Sequence, residues 1–305
     1  MKKLTIICLI LTINLHLFAQ LNMNDSTAQV IGYWDKNEKQ SYSITSEKLK
    51  INGTDTLSRE QTSYTVDITI VDSTADSYLI DWMYKDYKIN TDNELMKKLS
   101  TLAQDMKVTI RTNEMGVFQE VVNWKEVRDY MLQATRLLKN EVKDIPNMDK
   151  VISQIEGMYR TKSAIEAGAV KEIQQFYSFH GAKYVYGEEY ESDMKVANLY
   201  GGEPFDTHVT VWLDELNPED NNFILRMKQT VDPEQLTNAT FEYLTKLSET
   251  MQIPPLKKED MPDVSNDTWV ASRIHGSGWV VYSIETRETK AQGHTNVEER
   301  IIEIN

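Results

Sequence analysis

A chain of 305 residues that sets 33 Lys and Arg against 47 Asp and Glu, a formal net charge of −14, offers no basic stripe to a phosphate backbone or an anionic bilayer. Nucleic acid is therefore not an expected partner, and acidity of this kind serves to keep a protein in solution. The one cysteine, Cys8, lies in the first apolar run, so the rest of the chain has no disulfide, thiolate metal site or cysteine nucleophile.

Lys2 and Lys3, an apolar run from Leu4 to Phe18 and the small residue Ala19 make the pattern of a cleavable export leader, with cleavage expected after Ala19. A membrane-spanning helix needs about 20 apolar residues. This run is shorter and is interrupted by Asn14 and His16. A lipid anchor would need a cysteine directly after the run, whereas Cys8 is inside it. The expectation is an exported protein, periplasmic or extracellular, with no stable membrane insertion.

From Tyr64 to Ile70 apolar and polar residues alternate, which predicts a strand with one buried and one wet face. Residues Asp72 to Ser77 make a turn, and Tyr78, Ile80, Trp82 and Tyr84 repeat the alternation in an antiparallel hairpin. Thr91-Asp92-Asn93-Glu94 is a capping box, and Leu95, Leu99, Leu102 and Met106 follow on one helical face. Val108 to Arg111 and Val117 to Val122, joined at Gly116, predict a second hairpin. Asn123 with Glu126 opens a helix striped by Val127, Met131, Ala134, Leu138 and Val142, which Pro146 ends. Val151, Ile155 and Met158 continue helical spacing, and a third helix carries Ile165, Ala169, Ile173 and Phe176 on to Gly181.

Strands then return. Val209, Val211 and Leu213 alternate with polar positions, Asn217 to Asn222 turn, and Phe223, Leu225 and Met227 follow. Asp232 with Pro233 starts another helix. The Gly276-Ser277-Gly278 turn, a strand from Trp279 to Thr286 and a last one from Val297 to Ile304 close the chain. One common shift sets Tyr78, Ile80 and Trp82 on Phe223, Leu225 and Met227, and sets Met96, Leu99 and Leu102 on Phe241, Leu244 and Leu247. The expected fold class is thus α+β. An antiparallel sheet, curved and half-barrel-like with about eleven strands, is built from two pseudo-repeats around a central helical insert. The corresponding segments are a leader over 1–20, a first repeat over 21–122, the insert over 123–181 and a second repeat over 182–305.

Catalytic patterns are weak. Glu188, Glu189 and Glu191 cluster, but neighbours on a strand point to opposite faces, so Glu189 and Glu191 are the pair available for acid/base work. His180, His208, His275 and His294 show no metal-binding spacing. Ser277 has its glycines directly beside it, where a nucleophile elbow has them two residues away. The acidic tips at Asp72 to Ser77 and Asp214 to Asn222 lack the glycine of a calcium loop. Tyr200-Gly201-Gly202-Glu203-Pro204-Phe205 reads as a sharp connection between strands, with Phe205 as its anchor. Asn24, Asn52, Asn238 and Asn266 head glycosylation triplets, which matter in a eukaryotic host.

Two stretches, Glu166 to Gly181 (EAGAVKEIQQFYSFHG) and Asn198 to Val211 (NLYGGEPFDTHVTV), resemble an uncharacterised family of exported Gram-negative bacterial proteins over the central third of the chain. The layout of strands and helices is similar, at fold level, to the open half-barrel of periplasmic lipoprotein carriers. The resemblance implies export and fold, and no site. The expected function is a non-enzymatic binding or carrier protein, or an envelope-assembly protein. It would hold an apolar small molecule or an envelope protein, need no cofactor or metal, and use Ile80, Trp82, Leu225 and Met227 as ligand-facing residues. A hydrolase using acidic residues is the alternative.

Overall fold

The computed structural model describes residues 20–91, 105–141, 144, 148–198, 200–254 and 256–305. The leader with Ala19, and the expected first helix as far as residue 104, lie outside the described residues. Two short strands come first, β1 (Leu21–Asn22) and β2 (Thr27–Gln29). A meander follows: β3 (Lys39–Asn52), β4 (Asp55–Ser73), β5 (Ser77–Asn90), β6 (Lys107–Asn113) and β7 (Phe118–Val121). The helical segment holds α1 (Trp124–Glu141), α2 (Met148–Met158), α3 (Lys162–Gly168) and α4 (Lys171–Tyr177). After β8 (Lys183–Val185) a second meander runs through β9 (Glu189–Val196), β10 (Phe205–Asn217) and β11 (Asn222–Val231). It continues past α5 (Pro233–Met251) into β12 (Val264–His275), β13 (Val280–Ala291) and β14 (His294–Ile304).

Among the described residues, eleven strands form one antiparallel sheet in the order β7-β6-β5-β4-β3-β14-β13-β12-β11-β10-β9. The last strand joins the two meanders by pairing with β3, from His294 opposite Asn52 to Ile304 opposite Tyr42. β7 and β9 are left as edges, so the sheet is open and not closed into a barrel. The expected α+β class, strand count and antiparallel pairing match this architecture. β1, β2 and β8 form a separate three-stranded sheet, whose strands of two or three residues are too short to show alternation in sequence.

Alternation decides the faces. On β4, Val66, Ile68 and Ile70 are fully buried, as are Ile80 and Trp82 on β5. The helical segment leaves edge β7 and lies across this apolar face, so that Phe176 of α4 packs edge-on against Tyr42 and Trp82, with ring centroids 5.3 Å away in both cases. Asn123 ties the start of α1 to β6. Its Oδ1 accepts the Thr109 N–H at 2.8 Å, and its amide donates to Glu126 at 2.9 Å. The expected third helix divides into α3 and α4. Gly168 weakens the helix there, and the following Val170 leaves helical geometry at φ −130° with its side chain fully buried. The side chains expected to continue the stripe of α2, Val151, Ile155 and Met158, lie outside those described.

Residues 30–34 run between two hairpin turns as a plug. Gly32 N donates to Met115 O at 3.1 Å and Tyr33 N to Ser277 O at 3.2 Å. Trp34 then sits 5.2 Å from Tyr78 and 5.1 Å from Trp279, ring centre to ring centre. Such aromatic pairs add about 0.5–1.5 kcal/mol each beyond their burial. His180 joins the cluster, and its Nε2–H donates to Gly278 O at 2.9 Å.

Gly278 adopts φ +83°, and a Cβ there would meet Ile31 O at 2.3 Å. Gly278→Ala should therefore cost about 1–3 kcal/mol, read as a lowered denaturation midpoint. Burial pushes the His180 pKa down to about 4 from 6.5. Between those values the unfolded chain binds the proton and the folded chain does not, so stability rises with pH there. Stability should fall as pH drops from 6.5 towards 4, by at most about 3 kcal/mol from this group, and be flat above 7. Urea midpoints against pH, compared with those of His180→Gln, measure that contribution.

Candidate functional site

The two halves of the sheet's apolar face are occupied differently. Under β3 to β6 the chain fills the space itself with Trp34, Trp82, Phe176 and Tyr177. Under β9 to β13 a cavity of about 690 Å³ remains, bounded by α3 and α4 on one side and α5 on the other. Its apolar floor includes Val209, Val211, Met227 and Val270, with Phe205 and Leu236 towards α5. Phe205, Val231, Leu236 and Val264 also form a small buried cluster that seats the start of α5. Asp232 caps that helix, accepting the Gln235 N–H at 2.8 Å, and Pro233 stands in its first turn. The start of α5, which forms one wall of the site, thus follows from local signals legible at Asp232 and Pro233.

Strand register makes the floor amphipathic. One row across the sheet reads Ser46, Arg300, Glu285, Val270, Met227, Val211, and the next reads Lys48, Glu298, Arg287, Thr268, Gln229, Val209. Charge is gathered on β3, β14 and β13; across β12, β11 and β10 the first row is apolar, while the second passes Thr268 and Gln229 before reaching Val209. The α4 helix docks over the charged end. Gln175 donates to Ser283 Oγ at 2.9 Å and accepts from Arg300 Nη1 at 3.1 Å. Glu172 accepts the Tyr84 hydroxyl hydrogen bond. Arg300 lies 3.4 Å from Glu285, and Lys171 lies 3.7 Å from Glu298. Burial pushes the Lys171 ammonium below its ordinary value. Burial would raise the Glu298 carboxyl, but Lys171, Lys48, Arg287 and Arg300 together outweigh it and hold the pKa down.

A second cavity, of about 470 Å³, adjoins the first and shares Ala197 and Tyr200 with it. Tyr200 stacks on Tyr243 of α5, centroids 4.8 Å apart, at the boundary between them. Gly201 and Gly202, at φ +90° and +105°, carry the reversal from β9 into β10, and Phe205 is buried as its anchor.

No protein-family model matches the sequence, and no curated protein matches it. Among solved structures, lipovitellin, studied for its lipid–protein interactions, aligns over 89% of this chain at 8% identity and a TM-score of 0.40. The chain spans 25% of that protein. DynF of the dynemicin pathway of Micromonospora chersina aligns over 91% of this chain and 84% of its own at 6% identity, with a TM-score of 0.22. The Pseudomonas aeruginosa MucA/MucB complex aligns over 87% and 89% at 8% identity, with a TM-score of 0.14.

Of the four residues expected to face a ligand, Met227 lines the cavity. Ile80, Trp82 and Leu225 are fully buried in the core; Trp82 is covered by the chain's own Phe176 and Tyr177. Glu189 and Glu191 are exposed on edge strand β9. They share the face opposite Met194 and Val196, which line the cavity. His208 pairs with Asp193 on the surface, and Ser277 bonds His275 within its own turn, with Oγ 2.8 Å from Nδ1. Among the described residues no group of three or more His, Cys, Asp or Glu converges to hold a metal. The acidic tips are tied up locally, Asp72 with Lys36 at 3.0 Å and Asp214 with Arg226 at 2.8 Å. Asn266 lies in the cavity wall and donates to Thr289 at 2.9 Å. Arg287 and Glu285 were missed because a charge on a strand reads as a wet face, and Lys171 because a charge in the first turn of a helix reads as solvent-exposed; nothing local marks any of them as facing inward.

Gln175→Leu keeps the volume but takes a buried hydrogen bond from both Arg300 and Ser283, which retain Glu285 and Ser272. A loss of about 2–3 kcal/mol is expected, measured by chemical denaturation, where Gln174→Leu next to it serves as the control.

Proposed function

We propose that this chain is a non-enzymatic binding or carrier protein that works outside the cytoplasm and holds an apolar or amphipathic small molecule in the cavity beneath β9 to β13. The observation that carries this is the asymmetry of the face. One half is packed shut by the protein's own rings, while the other keeps a hollow within the usual range of about 300–1,000 Å³ for small-molecule sites. Lining of this kind favours an apolar guest, because each buried methylene contributes about 0.8 kcal/mol. Export rests on the leader pattern around Ala19. On the same reading the two meanders are copies of one unit, of which the second keeps its face open.

Protein recovered from its own envelope fraction should carry a bound apolar mass in native mass spectrometry. Val211→Trp, which puts an indole into the hollow, should abolish that mass and leave the far-ultraviolet circular dichroism unchanged. Absence of any bound mass, together with failure to take up long-chain alcohols or acids in titration, would overturn the proposal.

A further inference from the structure

The charged end of the floor narrows the kind of molecule the cavity holds. Arg287 lies in the wall, yet its guanidinium has no close partner among the described residues. Nη2 is 3.9 Å from Glu285 and Nε is 3.4 Å from the Thr268 hydroxyl, where a charge-assisted hydrogen bond closes to about 2.7–2.9 Å. Glu285 is approached more closely by Arg300, at 3.4 Å. Glu298 is likewise shared, 3.6 Å from Lys48 and 3.7 Å from Lys171. Around this end Lys48, Lys171, Arg287 and Arg300 stand against Glu285, Glu298 and the Glu172 held by Tyr84. Lys48 is largely in water, so the enclosed charges balance in number, yet Glu285 lies nearer Arg300 and Glu172 is taken by Tyr84, which leaves Arg287 the most weakly paired of the cations. A partly desolvated cation that shares its counter-charge with a nearer cation is under-compensated, and an incoming anion relieves it.

The apolar end begins one strand away. Val270 is the register partner of Glu285, Met227 of Val270, and Val211 of Met227. A molecule whose tail follows this row and whose head crosses to the next, beside Thr268, meets the planar fork of Arg287 at one end and hydrocarbon at the other.

We propose that the cavity selects an acidic amphiphile: a long-chain carboxylate whose head is received by Arg287 with Lys171 and whose tail lies along Val270, Met227 and Val211. This rests on the cavity reading above. The guanidinium fork matches a carboxylate's two oxygens, while an alcohol brings no charge and an amine brings the wrong one.

Isothermal titration of the purified protein with dodecanoate, dodecanol and dodecylamine, each below its micelle concentration, tests it. Dodecanoate should bind about tenfold or more tighter than dodecanol, the size expected of a charge-assisted hydrogen bond, and dodecylamine should bind weakest. Arg287→Met should bring dodecanoate down to the dodecanol level and leave dodecanol unchanged, and Lys171→Met should weaken dodecanoate in the same direction. Equal binding of dodecanoate and dodecanol by the unaltered protein overturns the carboxylate assignment and leaves the apolar cavity standing. So does an Arg287→Met protein that loses both equally. If none of the three binds, the cavity reading itself fails. The comparison on the unaltered protein decides the matter even where a variant does not fold.

Discussion

The docking of α4 across the seam between β3 and β14 is the contact on which the rest depends. The two meanders have no covalent link at that seam and meet there through the ladder and side-chain contacts such as Lys48 with Glu298. Beneath it lie buried polar groups, Ser272, Ser283 and Arg300, that would be costly without partners. Gln175 bonds Ser283 and Arg300 from one side chain while Ser272 donates to Ser283, and Phe176 beside it seals the apolar ground between Tyr42 and Trp82. One short helix thus satisfies polar groups on β13 and β14 while packing on β3 and β5.

That placement also explains why the apolar face is filled unevenly. The residues that follow α4 turn back under the first meander, where Trp34, Tyr177, His180 and Trp279 close around one another. The glycine turns at Gly116 and Gly278 let the plug at residues 30–34 approach closely enough to complete this packing. Beyond the seam no such aromatic block exists among the described residues. The face there is covered at its margins by α3 to α5, and the hollow is what their spacing leaves. Function, on the reading proposed here, is the part of the core that the chain does not fill.

Much of the scaffold was legible in sequence. Period-two alternation marked β4, β5, β10 and β11, because each has one wet face and one dry face. Cap chemistry placed the start of α5 at Asp232, and α1 starts after Asn123 as expected although that side chain's oxygen serves Thr109 of β6. Within the expected site, Met227 was recognisable as inward-facing by its alternation with Arg226 and Lys228. Arg287, Glu285 and Lys171 were not, since inward charge leaves no periodic signature and depends on partners far along the chain.

By itself, then, the sequence determined strand faces, helix starts, turn positions and the want of any strong catalytic motif, all of which rest on interactions within a few residues. Tertiary structure decided that the last strand pairs with β3, that α4 crosses that seam, and that Ile80, Trp82 and Leu225 are sealed while Met227 meets open space. The physical reason is that alternation tells a side chain which face it occupies but not what covers that face. Covering is set by long-range packing, and here it separates a filled half of one sheet from a hollow one.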